Sequence, residues 1–278
     1  MWRYGALTIL AAIAAGAFAE DVTASWYPLH AGDTWVYRKE FRYGDMAHPS
    51  AERWTTEDTI VSAVAAPQWN GTLVTRRTKV LDHAVPPHFI VENDSTKREL
   101  PESHLLVRGN CVYVLDGSDA QAARARDLTK DLVPADFCFP LTPGSTWGQM
   151  SHTSPAKEYV WFVRGVNADP FGPGGVRTVH VSAHQSSGTE MDRWFAEGIG
   201  VVQEIIEHHG THDEQRRQLL RSTIGGRTRN YDLPPARAVA LFDADCEGGR
   251  WRHFARADGK VFASSRECLG FVKKTTLR

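Results

Sequence analysis

For most of its length the chain alternates apolar and polar side chains with period two, a pattern few architectures accept. Trp35, Tyr37, Phe41 and Tyr43 fall on one face of an extended segment, with Val36, Arg38, Glu40 and Arg42 on the other, as in a half-buried antiparallel strand. Similar runs cover 59–64, 72–81, 88–92, 104–108, 111–115, 159–166, 176–184, 201–208 and 215–224. Gly109-Asn110 has the form of a two-residue hairpin turn, and Asp258-Gly259 joins 251–257 to 260–264 in the same way. The prediction is a mainly β chain folded as a meandering antiparallel sheet. One stretch departs from the pattern: Ser118-Asp119-Ala120-Gln121 resembles a capping box, Ala, Arg and Leu follow to Leu132-Val133, and Pro134 ends the run. That predicts a single helix.

A phrase is used twice. Tyr27-Pro28-Leu29, Gly32 and Thr34-Trp35 correspond to Phe139-Pro140-Leu141, Gly144 and Thr146-Trp147. Pro fixes one backbone angle on entry to a turn, Gly supplies a positive φ that other residues resist, and Thr-Trp starts a strand whose indole needs burial. Gly32, Gly144, Trp35 and Trp147 are therefore read as structural residues of two equivalent corners. The phrase holds no general base, no metal-ligand pair and no phosphate cradle.

Met1-Trp2-Arg3, an apolar run over 7–15 and Ala17-Phe18-Ala19 before Glu20-Asp21 form a secretory signal peptide, predicted as 1–19. The run is too short to span a bilayer and no later one approaches ~20 apolar residues. The expectation is a soluble exported protein, periplasmic or extracellular. Removing Arg3 leaves 31 of the 32 basic residues against 33 acidic ones, and no basic run accompanies stacking aromatics, which argues against a nucleic-acid partner. Lys273, Lys274 and Arg278 read as a solvated end. Cys111, Cys138, Cys246 and Cys268 form an even set in an exported chain, hence two disulfides, with neighbour pairing favoured because each pair encloses a short segment with hairpin signals. Leu233-Pro234-Pro235 looks like a joint. The expected organisation is a half-barrel-like domain over 20–232 and a small disulfide-stapled C-terminal β unit over 236–278.

Three phrases in order, the opening "WYPLHAGDTWVYR", the mid-chain "CFPLTPGSTWG" and "RWFAEGIGVVQEI", resemble a broad family of exported bacterial proteins of unknown function. Its members show a Tyr-Pro-Leu-x-x-Gly-x-x-Trp opening and a later Trp-Tyr-Ala-x-Gly-Val-Gly-Val-Val phrase. The resemblance spans 26–224 and implies a fold akin to the half-barrel of lipoprotein-localisation carriers, a curved antiparallel sheet with a helical plug over its concave face. Many relatives carry a lipid-anchor cysteine that this sequence lacks, and no catalytic residue is implied.

Two histidine clusters carry the remaining chemistry. In "EIIEHHGTHDE", Glu204, Glu207, His208, His209, His212 and Asp213 are of the types that bind zinc or copper, with His208, His209 and His212 the candidate ligands. Glu207 and His208 nevertheless point to opposite faces of a strand, and 209–212 reads as a polar hairpin tip. His180, Ser182 and His184 share one strand face opposite Val179, Val181 and Ala183; they are candidate ligand-binding residues lining a half-barrel cavity, with a solvent face as the plainer reading. Two residues along a strand set them roughly 7 Å apart, beyond a direct Ser/His hydrogen bond. Trp26, Trp35, Trp54, Trp69, Trp147, Trp161, Trp194 and Trp251 suit a β core, and a lipid- or sugar-binding face would use the same side chains. Motifs for hydrolases, metalloproteases, nucleotides and dinucleotides are absent from the sequence, and no cofactor is implied. The reading is a non-enzymatic exported binding or envelope-associated module holding an apolar small molecule, such as a lipid or acyl chain, or meeting an envelope protein. The alternative is a hydrolase or metal-dependent enzyme using the histidine clusters.

Overall fold

The computed structural model describes residues 25–43, 50–82, 102–115, 136–149, 159–166, 171–185, 189–208, 213–240, 243–256 and 259–275. The signal peptide expected over 1–19, the helix expected over 118–133 and the strand expected over 88–92 lie outside them. The strands are β1 (Thr34–Tyr43), β2 (Ser50–Ala66), β3 (Gly71–Val80), β4 (Ser103–Arg108), β5 (Cys111–Leu115), β6 (Phe137–Cys138), β7 (Thr146–Gln149), β8 (Tyr159–Val166), β9 (Thr178–Gln185), β10 (Thr189–Ala196), β11 (Gly200–His208), β12 (Asp213–Ile224) and β13 (Arg227–Asn230). Among the described residues these form one 13-stranded sheet ordered β6-β5-β4-β3-β2-β1-β12-β11-β10-β9-β8-β7, with β13 paired to β12. Every ladder in it is antiparallel.

That order dictates curvature. Each strand pairs with its successor except β6 and β7, and β12 returns to pair β1, so the topology is an up-and-down ring opened at one seam. A flat sheet of twelve strands would set its edges about 53 Å apart at ~4.8 Å per spacing. The chain from Cys138 to Thr146 can reach only about 28 Å. The sheet therefore curls into a half-barrel. At the entry to β6 the described chain lies against the interior: the Phe137 ring meets that of Phe195 on β10 edge-on at 5.1 Å, and Asp136 pairs with Arg193 at 2.6 Å. The concave face is thus the one carrying Trp35, Tyr37, Val181, Arg193 and Phe195.

The two repeated phrases build one hydrogen-bond pattern twice. Gly32 N donates to Ile60 O at 2.9 Å and Ile60 N returns to Asp33 O at 2.9 Å; Gly144 N donates to Val163 O at 3.1 Å and Val163 N returns to Ser145 O at 3.0 Å. Asp33 N closes on His30 O, and Ser145 N on Thr142 O. Gly32 and Gly144 sit at φ 93° and 82°, with open space around them. Each corner feeds the first strand of a six-stranded meander, β1–β6 or β7–β12. Trp35 is buried and its Nε1 donates to Ile199 O at 2.7 Å; Trp147 stands opposite Trp161 in the β7–β8 ladder.

All three phrases meet in one aromatic cluster. Tyr27 packs against Trp35 at 6.1 Å and Phe137 at 5.4 Å, and Phe139 packs against Phe195 at 6.4 Å. Tyr37 Oη donates to Val201 O at 2.9 Å. Gly200, at φ 96°, leaves room for the Tyr27 ring, whose Cδ2 lies 2.3 Å from where a Cβ would stand.

Cys111 is bonded to Cys138 and Cys246 to Cys268; the first bond ties β5 to the two-residue strand β6. After β13 the chain crosses the outer face of the sheet. There the Gln218 Nε2 donates to Leu233 O at 2.5 Å, Gln203 Nε2 to Pro234 O at 3.0 Å and Ala236 N to Gln203 Oε1 at 2.9 Å. The C-terminal region pairs β14 (Ala238–Val239) with β15 (Phe254–Ala255) in parallel and ends in α1 (Ser265–Thr275). This helix was not anticipated, and it carries Lys273 and Lys274. Its N-cap is Ser264, whose Oγ accepts from Glu267 N at 3.2 Å, while Glu267 Oε2 reaches past the cap to accept from Ala263 N at 2.7 Å. Cys246, Phe254, Phe262, Cys268 and Val272 join the same apolar cluster as the sheet.

Candidate functional site

The concave face divides into three zones. Its centre is the aromatic cluster. Across β1, β12, β11 and β10 runs a charged row, Lys39, Arg217, Glu204 and Arg193, residues directly opposite one another in successive ladders. The Arg193 guanidinium pairs with Asp136 and Glu204 and lies 4.8 Å above the Trp161 ring and 5.3 Å from that of Phe137. Arg217 reaches Glu204 at 3.5 Å and stands 4.8 Å over the Tyr37 ring. Burial alone would raise the Glu204 pKa, but the charges of Arg193 and Arg217 outweigh it and hold the carboxyl at about 2. Burial lowers the Lys39 ammonium and pushes the Tyr37 phenol up. Arg193, Glu204 and Arg217 are thus paired, as a low-dielectric interior requires.

The third zone is apolar and partly open. Ala63, Val74, Leu105 and Val114 face one another across β2–β5, with Ala65, Thr72, Val107 and Val112 in the next row. Val74, Leu105 and Val112 are buried, whereas Val114 is 36% exposed and Ala63 and Ala65 are exposed.

The outer face holds the first histidine cluster, which is where the structure departs from expectation. His180 and Ser182 are buried on the face opposite the concave one, so they line no half-barrel cavity. They are also closer than the strand spacing predicted, with Ser182 Oγ 3.5 Å from His180 Nε2. The cause is a shared partner on β10: Asp192 Oδ1 lies 2.6 Å from His180 Nε2 and accepts from Ser182 Oγ at 2.5 Å, drawing both side chains together. The His180 ring stacks on Trp194 at 4.5 Å, and Phe171 meets Trp194 edge-on at 5.7 Å. In a nucleophilic triad the carboxylate holds one imidazole nitrogen and the serine uses the other. Here both crowd Nε2, under aromatic cover, so the arrangement satisfies three buried polar groups and relays no proton from serine. His184 stands opposite Glu190 in the β9–β10 ladder.

The second cluster is divided by the strand. Glu204 faces inward to Arg193, while Glu207 stands on the outer face between Glu190 and Glu214 in adjacent ladders. Burial raises the Glu207 pKa well above the carboxylate range, and the neighbouring Glu214 adds to it. His208 ends β11 opposite Asp213; His209 and His212 lie outside the described residues. Among the described residues no group of three His, Cys, Asp or Glu could hold a metal ion, and no helix is long and apolar enough to cross a membrane.

The polar residues that matter most to the interior, Arg193, Glu204, Arg217 and Asp192, were not singled out as sites of buried pairing. The sequence signal for them was the alternation itself, which marks a face as polar without saying that the sheet curls over it.

Fold and surface together define a curled, opened antiparallel sheet with a paired-charge and aromatic interior. It is similar to solved structures of a candidate lipoprotein from Parabacteroides distasonis (9% identity, 74% of this chain and 99% of that one, TM-score 0.33) and a candidate exported protein with a YmcC-like fold from Bacteroides fragilis (10%, 74% and 99%, 0.34). It is also similar to a LolA superfamily protein from Nitrosomonas europaea (7%, 80% and 96%, 0.20). A likeness of this degree assigns no activity or ligand. No family model and no curated protein sequence matches the chain.

Proposed function

We propose that this chain is an exported, non-enzymatic binding protein of the bacterial envelope, one that holds a lipid or acyl chain on the concave face of its sheet. The observation that supports this is the open apolar zone on β2–β5, where Val114, Ala63 and Ala65 stay exposed on a face otherwise closed by aromatic packing. Apolar surface left open inside a curved sheet is suited to a flexible chain, which gains about 0.8 kcal/mol for each methylene it buries. In this reading the region 236–278 is an appended unit that braces the outer face and leaves the concave face to the ligand.

The test is extraction of the exported protein with organic solvent, followed by mass spectrometry of the extract. Acyl-chain lipid is expected with the wild type and lost in Val114→Asp, with an unchanged far-ultraviolet spectrum. Wild-type protein that yields no lipid and fails to bind a fluorescent fatty acid added in solution would overturn the reading.

A further inference from the structure

A cleft of 290 Å³ lies on the outer face, between β1, β2 and β12 and the crossing segment at 235–236; its lining includes Arg38, Glu40, Arg42, Arg53, Arg216 and Gln218. Its charged side chains on β1 and β2, with Arg216 and Gln218 of β12, belong to the face opposite the concave one, while Glu204 and Arg217, a carboxylate and a guanidinium of the concave row, also contribute to its wall. We propose that this cleft binds a phosphate group, presented by a small phosphorylated molecule or by a phospholipid head group.

The charge balance points to an anion. Four guanidinium groups, those of Arg38, Arg42, Arg53 and Arg216, converge from three adjacent strands. Two carboxylates answer them: Glu40, held by Arg42 and by Arg53 Nε at 2.8 Å, and Glu214, held by Arg216 and by Arg42 Nη1 at 3.3 Å. Two positive charges are left over. Arg38 bonds a neutral amide, Gln218 Oε1, and Arg53 bonds Glu40 through a side chain 66% exposed. Each guanidinium carries five N–H donors in a planar fork, so both have donors to offer an incoming oxyanion. Burial works against ionisation of Glu40, yet hydrogen bonds from Arg53 and Arg42 lower its pKa, the response of a carboxyl in a positive field. A net excess of two matches a phosphate dianion better than a single carboxylate, and guanidinium forks grip phosphate oxygens in pairs. The volume, near the lower end of the ~300–1,000 Å³ range of small-ligand sites, admits a phosphorylated fragment and no more. The wall is rigid on its far side, where Arg216 Nη1 donates to Ala236 O at 2.9 Å and Gln203 and Gln218 pin the same segment.

The experiment is calorimetric titration of the full exported chain with inorganic phosphate, with succinate in parallel, and co-sedimentation with phosphatidylglycerol–phosphatidylcholine vesicles as a second arm. Arg38→Gln and Arg53→Gln are the variants, since both side chains are exposed and neither is buried in the sheet; an unchanged thermal midpoint shows they fold. Saturable binding of one phosphate, stronger than succinate and weakened about tenfold or more in either variant, is expected. Binding to the vesicles with the same sensitivity, and none to free phosphate, identifies the head group as the source. No binding in either arm, equal binding by the variants, or a preference for succinate overturns the proposal.

Discussion

Substituting Gly200 by alanine tests whether the three sequence phrases converge as packed scaffold. At φ 96° an added Cβ meets backbone strain costing about 1–3 kcal/mol. It also lands 2.3 Å from Tyr27 Cδ2 and 2.7 Å from Cε2, inside a cluster where the ring is held by Trp35 and Phe137; overpacking of that kind costs about 1–3 kcal/mol more. Gly200→Ala should therefore destabilise by roughly 2–6 kcal/mol, read as a lowered urea midpoint at unchanged slope. Gly32→Ala and Gly144→Ala supply controls, because their added methyl groups meet open space and only the backbone term of about 1–3 kcal/mol applies. Those two should also resemble each other, since their corners share one hydrogen-bond pattern. A double-mutant cycle isolates the steric part: Tyr27→Val combined with Gly200→Ala should be more stable than the sum of the single effects predicts, by about 1–3 kcal/mol. Strict additivity, or a Gly200→Ala variant as mild as Gly32→Ala, would refute the claim that the opening phrase is seated on the third.

Acid should unfold the protein partly through Glu204. Its folded pKa of about 2 lies below the ordinary 4.5, so its contribution, roughly 3 kcal/mol, is complete above pH 4.5 and is lost as pH falls toward 2; Glu204→Gln should flatten that limb of a stability–pH curve. Glu207 has the opposite sign. Its folded pKa is raised, so the stability linked to it is present below pH 4.5 and is lost as pH rises through the folded value, and Glu207→Gln should be more stable than wild type at pH 8 in thermal melts. Each disulfide closes a loop, with sequence separations of 27 and 22. Cys111→Ser/Cys138→Ser and Cys246→Ser/Cys268→Ser should each lose about 3–4 kcal/mol by chain entropy, and thiol labelling of unreduced, denatured wild type should modify no cysteine.

The legible part of the fold was whatever depends on local chemistry. Alternation located β4, β5, β8, β9, β11 and β12 to within about two residues, because a residue's face is a property of the strand. The corners were readable for the same reason: Gly32 and Gly144 need positive φ wherever they sit. Enclosed short segments gave the cysteine pairing. Long-range geometry was not readable in this way. β2 runs from Ser50 to Ala66, yet its first half, "SAERWTTED", has too few apolar residues to signal a strand, since much of its inner face is the buried Thr56 and Asp58, the latter accepting from Thr78 Oγ1. The link between Ser182 and His180 was missed because the residue that joins them, Asp192, comes from a neighbouring strand.

The charged row on the concave face shows why alternation alone misjudges a curled sheet. In a flat antiparallel sheet one face is dry and the other wet, so "RKEFR" and "EQRRQ" read as strands with polar residues turned to water. Here the ring topology curls the sheet, Asp136 and Phe137 at the entry to β6 lie against its inside, and the segment after β13 covers part of the outside. Both faces of β10 and β11 are consequently largely buried, and polar residues there and on β12 find partners in the protein: Arg193 with Asp136 and Glu204 within, Gln203 and Gln218 with backbone carbonyls without. On the β2–β5 side Ala63, Ala65 and Val114 remain exposed on the inner face. The curl of the ring thus sets paired charges on the β10–β12 side of the inner face and exposed apolar residues on the β2–β5 side.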